Sequence, residues 1–229
     1  NLKDKTIEIR FKKASDGYDL TVKVGASTFS GNIPASAMTG YSGFNAENDV
    51  YALVSAWHFE WDGPAGHTFS MQYKGLGKAE VIDEPESEDD IDQPTVADMT
   101  INHWADNGML GLSELPDGGV QMDWNGAVTN VRIGVNKNMP LNGMVMQLAN
   151  LTAGEGSNGN FAVFFANNFE AAYNPDAAEI PALLFDTTNG QVLWMPGVHQ
   201  AIKPNDGLKY ANLKDKTIEI RFKKASDGY

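Results

Sequence analysis

Between Thr6 and Lys13 every second residue is apolar: Ile7, Ile9 and Phe11 alternate with Glu8, Arg10 and Lys12. A period of two puts the apolar set on one face of a β-strand and the charged set on the other, whereas a helix would scatter both around its axis. The whole segment from Asn1 to Tyr18 returns unchanged as Asn212 to Tyr229. Any fold of this chain must therefore accommodate two interchangeable amphipathic strands.

The first copy runs into the turn chemistry of "ASDG" and then into "YDLTVKV", where Leu20, Val22 and Val24 alternate again. Residues 5–24 read as a β-hairpin. The second copy stops just past its turn and so reads as half a hairpin. Tyr51 to Trp61 gives the next strand, with Tyr51, Leu53, Trp57, Phe59 and Trp61 of one parity, and "DGPAGH" returns the chain to Phe69, Met71 and Tyr73. This hairpin presents an aromatic-rich face, which fills a core in the simplest reading and stacks on sugar rings in the alternative.

Strands follow in "GVQMDW", "VTNVRIGV", "GMVMQLANL", "NFAVFFA", "PALLF" and "QVLWM", with "TTNG" joining the last two as a hairpin. Stretches rich in Gly, Asn, Asp and Pro separate them, and a helical period is confined to a turn or two near Phe169 to Tyr173. Many short strands between turn signals predict an all-β protein, an antiparallel β-sandwich or jelly roll with little helix. We expect a single β-rich domain over residues 1–211, followed by the duplicated strand at 212–229. The acidic run Glu80 to Asp92 is a long loop in this reading, and a sub-boundary near 80–94 in the alternative.

With 229 residues, 42% of them hydrophobic, the chain can build a sizeable core. Cysteine is absent, which excludes disulfides, thiolate nucleophiles and cysteine-ligated metals. No apolar run approaches the roughly 18 residues that cross a bilayer, so membrane insertion is not expected. The chain starts on Asn1 without a leader-like stretch, which reads as a processed or excised protein.

Net charge is −13, the wrong sign for a nucleic-acid surface. Each copy of the duplicated segment carries a net +2, so removing the two leaves −17 on the other 193 residues. A basic strand at each end of a strongly acidic body is suited to dock on that body or on a neighbour's.

Asp83, Glu84, Glu86, Glu88, Asp89, Asp90 and Asp92 are hard oxygen ligands of the type that holds Ca²⁺. They lack the spacing of an EF-hand loop, and a solvated, self-repelling loop is the simpler expectation, with no cofactor. The four histidines, His58, His67, His103 and His199, show no zinc-ligand spacing. G-x-S-x-G is absent, and the acids of the charged run are too exposed to hold a catalytic proton, so an enzyme, with a glycan-active sandwich as its best form, ranks third among the functions considered. Trp104 in "NHWADNG" lies in a polar, turn-like stretch and is the best stacking residue for the second reading, a carbohydrate-binding module or lectin-like adhesin with a glycan partner.

The leading expectation is a non-enzymatic structural protein whose partners are copies of itself. Beside "YDLTVKV" there is one berth, and the N-terminal copy wins it because a four-residue turn keeps closure entropy small. The C-terminal copy is left over. Its Ile218, Ile220 and Phe222, the counterparts of Ile7, Ile9 and Phe11, drive addition to a sheet edge, in a neighbour as in donor-strand exchange or, in the alternative, in its own domain. Head-to-tail contacts of this kind build open filaments or arrays, which points to an extracellular, cell-surface or virion setting.

Overall fold

The structure is a computed structural model that describes residues 4–56, 68–79, 90–102, 110–125, 132–154, 160–169, 180–186 and 191–195. Two antiparallel sheets face each other. The eight-stranded sheet runs in the order β3 (Ser27–Ile33), β2 (Tyr18–Val24), β1 (Thr6–Lys13), β12 (Met144–Ala153), β5 (Thr68–Lys78), β9 (Val120–Asn125) and β8 (Leu110–Glu114), with β6 (Asp90–Asp92) pairing beside β9 on β5. The seven-stranded sheet runs β15 (Gln191–Met195), β14 (Ala182–Asp186), β13 (Phe161–Ala166), β4 (Asp49–Ala56), β10 (Arg132–Val135) and β7 (Met99–Asn102), with β11 (Met139–Pro140) on β4. The expected all-β antiparallel sandwich is the observed fold.

Rings from the two sheets meet between them. Phe11 of β1 stands edge-on to Phe165 of β13 at 5.1 Å, and Phe69 of β5 lies 6.4 Å from Phe161 of β13. Trp194 of β15 closes one end of this core, stacked on Phe165 at 5.8 Å, with its indole N–H donating to the Ala37 carbonyl at 2.9 Å. One continuous cluster holds residues from Ile7 to Met195. Strands from both sides of the acidic run share each sheet, since β5 pairs with β12 and β9, and β4 with β13 and β10.

The predicted hairpin over residues 5–24 is β1 and β2, in register from Ile7 opposite Val24 to Lys13 opposite Tyr18. Its turn depends on Gly17, at φ +76°, where a Cβ would stand 2.0 Å from the Ile33 carbonyl oxygen. Only glycine tolerates both the left-handed backbone and that approach. The strands expected at "GVQMDW", "GMVMQLANL", "NFAVFFA", "PALLF" and "QVLWM" correspond to β9, β12, β13, β14 and β15, and "VTNVRIGV" contains β10.

Five strands were not anticipated. β3 and β8 are broken by Gly31 and Gly111, β7 follows a short 3₁₀ turn at Val96–Asp98, β6 is cut from the acidic run itself, and β11 is only the two residues Met139–Pro140. The only short helical elements among the described residues are that turn and another at Ala35–Ala37. Residues 170–173 of the expected helical stretch, and the "TTNG" turn, lie outside the described residues.

The sheets differ in how they meet water. Along β1 and β2 burial alternates with the sequence, core face in and charged face out. In β13, β14 and β10 every residue is buried. The rings of Phe161 and Phe165 turn inward, so Phe164 must lie on the outer face of the seven-stranded sheet, and it too is buried.

Candidate functional site

The duplicated sequence defines the first part of the site, because the structure shows where its N-terminal copy sits. β1 is the third strand of its sheet and is bonded on both sides, to β2 over seven residue pairs and to β12 from Thr6 opposite Ala149 to Arg10 opposite Val145. The ladder extends at both ends. Gly25 and Asn150 donate their amides to the Thr6 and Lys5 carbonyls at 2.9 and 3.1 Å, and the Gly143 amide donates to the Phe11 carbonyl at 2.8 Å. Ile7, Ile9 and Phe11 are each at most 2% exposed. Burial of such side chains contributes about 1.5–3 kcal/mol apiece.

The charged face of β1 is organised around Glu8. Its carboxylate accepts from Arg10 Nε at 2.6 Å and Gln147 Nε2 at 3.0 Å, with Lys23 Nζ at 3.2 Å. Partial burial pushes the Glu8 carboxyl up, but the hydrogen bonds from Arg10 and Gln147 and the charges of Arg10 and Lys23 outweigh it and hold the pKa at about 2. At the end of the strand Lys13 donates to Glu47 at 2.7 Å, and that partner raises the lysine's pKa. β1 thus fills an interior slot with its backbone, its core residues and its charges all matched.

The second part of the site is where a further strand would go. Among the described residues the eight-stranded sheet ends on β3 and β8, each lacking a partner strand on its outer side. The two edges are finished differently. On β3 the core-facing Phe29 and Ile33 are both 2% exposed, so that edge is already sealed. On β8 the core-facing Leu110 and Leu112, opposite Trp124 and Met122, remain only partly buried against the same cluster.

Charge separates the edges as well. Strands β1 and β2, beside β3, carry Arg10, Lys12, Lys13 and Lys23 against Glu8 and Asp19, whereas Glu114, Asp117 and Asp123 lie on or beside β8 against Lys74. Asp123 accepts from Ser70 and from Gln121, and Asp117 pairs with Lys74 at 2.9 Å. The Glu114 end of β8 is braced by the Val96 amide, which donates to its carboxylate at 2.7 Å.

Of the expected site residues, Ile7, Ile9 and Phe11 are thus brought together on the core side of the slot. Ile218, Ile220, Phe222 and Trp104 lie outside the described residues, as do Asp83, Glu84, Glu86, Glu88 and Asp89. Asp90 and Asp92 are in β6, and Asp92 is engaged by Lys137 at 2.6 Å. Among the described residues no three acids or histidines stand close enough to share a metal ion. A cleft of about 470 Å³ beside β6 is lined by Asp92, Asp98, Asn136 and Lys137, but its charges serve each other and the turn at Thr95.

A third feature had no signal in the sequence. Four polar residues are buried among those described, Ser55, Arg132, Asn160 and Asp186, and strand alternation puts Ser55, Arg132 and Asp186 on the outer face of the seven-stranded sheet. The Arg132 guanidinium lies 4.0 Å over the Phe164 ring, and its Nη1 has no hydrogen-bond partner. Burial lowers its pKa to about 10. A buried donor left unmade costs about 1–3 kcal/mol, of which the cation–π contact returns a part.

No family model, characterised protein or solved structure matches this chain.

Proposed function

We propose that this protein is a non-enzymatic structural module that assembles head-to-tail through its duplicated strand. In this reading the N-terminal copy stays in the slot between β2 and β12, and the C-terminal copy adds to the β8 edge of the next molecule. The observation that carries the reading is the contrast between a slot filled on both sides and an edge whose Leu110 and Leu112 are half covered.

Three arguments favour that edge. An incoming strand with Ile218, Ile220 and Phe222 on one face would finish covering the two leucines. Its opposite face carries Glu219, Arg221 and Lys223, which suits a sheet whose outer side is wet and charged and not one buried on both sides. The net +2 of the copy matches the acids around β8 and mismatches the bases near β3. Because donor and acceptor are different surfaces, the contact repeats instead of closing on a two-fold axis, and it builds a filament or array. A surface appendage, an extracellular filament or a virion is the setting such an assembly fits.

Light scattering on the full chain and on a chain lacking Asn212 to Tyr229 tests this. The full chain is expected to grow in mass with concentration while the shortened chain stays a monomer. An unchanged mass after the deletion overturns the reading.

A further inference from the structure

We propose that Asn142 is a deamidation site guarded by β1, so that loss of β1 from its slot converts it and bars the strand's return. Of the Asn–Gly pairs in the chain, Asn142–Gly143 is the one whose two residues are both described. The pair forms the tight turn that feeds β12, closed by the Met144 amide donating to the Leu141 carbonyl at 3.1 Å, with Gly143 at φ +83°. Asn142 is exposed, and the glycine after it puts no side chain in the way of its carboxamide.

The chemistry is intramolecular and needs only water. The Gly143 backbone nitrogen gives up its proton to solvent and bonds to the Asn142 Cγ, the Cγ–Nδ2 bond breaks, and ammonia leaves. Water then opens the succinimide ring, at the Cγ–N bond to give aspartate or at the backbone C–N bond to give isoaspartate. β1 blocks the first step at both reacting groups. The Gly143 N–H donates to the Phe11 carbonyl at 2.8 Å, and the Asn142 Oδ1 accepts from the Lys13 amide at 2.8 Å. With β1 in place the nitrogen keeps its proton and the carboxamide is turned towards the strand; without β1 both are released. An isoaspartate adds an extra backbone carbon ahead of Gly143. The Gly143 N–H then loses its alignment with Phe11, and its carbonyl loses the Ala79 amide that donates to it at 2.8 Å.

Peptide mapping by mass spectrometry tests the proposal, with the full chain and a synthetic peptide of residues 138–147 incubated side by side at neutral pH. Conversion follows the population of the open form, so Asn142 is expected to convert more than about tenfold more slowly in the native chain than in the peptide. In Phe11→Ala it is expected to convert about a hundredfold faster than in the native chain. Should Phe11→Ala fail to fold by circular dichroism, the native chain in urea below its unfolding midpoint replaces it, with a rate expected to rise with urea. The isoaspartate form, separated chromatographically, is expected to unfold at a lower denaturant midpoint than Asn142→Asp, whose carboxylate can still accept from Lys13. A native rate equal to the peptide's, no acceleration in Phe11→Ala or in urea, or an isoaspartate form as stable as Asn142→Asp each overturns it.

Discussion

The two sheets of this sandwich are made from the same residue types and solve opposite problems. In the eight-stranded sheet one face meets water, so its strands alternate, and Glu8, Arg10 and Lys23 can satisfy one another outside while Ile7, Ile9 and Phe11 fill the core. In β10, β13 and β14 of the seven-stranded sheet both faces are buried, so β13 reads as an unbroken apolar run and polar residues there lie in a dry setting. Alternation fixes register strongly, because a slip of one residue would turn the charged set of β1 into the core. In the proposed assembly this is why the duplicated strand is assigned to the first sheet and not to the second. Among the described residues the one buried cation, Arg132, lies conversely in the second sheet.

The largest expected effect sharpens the difference between the two copies. Phe11→Ala empties a site between Phe165 and Trp194 and should lower the unfolding free energy by about 3–5 kcal/mol in chemical denaturation. The matching change at the other end, Phe222→Ala, should leave that midpoint unchanged and reduce the oligomer mass. Equal destabilisation by both variants would mean that both copies serve one core, and would break the distinction.

A smaller effect concerns the wet face. The Glu8 pKa is depressed from 4.5 to about 2, so its contribution to stability is complete above pH 4.5 and is lost as the pH falls towards 2. After allowing for solvent screening that contribution is about 2 kcal/mol. Denaturation midpoints measured from pH 6 down to pH 2 should fall for the native chain and flatten in Glu8→Gln. A parallel decline in Glu8→Gln would assign the acid sensitivity to other carboxylates.

How much of this was legible in the sequence follows from the same contrast. Period-two patterns such as that of β1 and β2 announced both the strands and their buried faces, because one side had to be apolar. "FAVFFA" and "PALLF" announced strands but not which side faced the other sheet, since nothing in an unbroken apolar run distinguishes two buried faces. β8, "LGLSE", was missed because two leucines around Gly111 give too short a pattern, although it forms the edge on which the assembly reading now rests. Arg132 was hidden for a related reason. In "VTNVRIGV" a charge next to Ile133 marks a solvent face by every local rule, and only the burial of both sides of β10 overrides it. Pairing partners such as β12 beside β1, separated by more than a hundred residues, carry no local signal at all.

Replacing Phe222 with the photo-cross-linker p-benzoylphenylalanine, in a mixture of isotopically heavy and light full-length chains, tests the assembly most directly. After irradiation, mass spectrometry should recover heavy–light cross-links from position 222 to residues 110–114 of β8. Cross-links confined to single chains, or reaching other surfaces of a neighbour, would contradict the account.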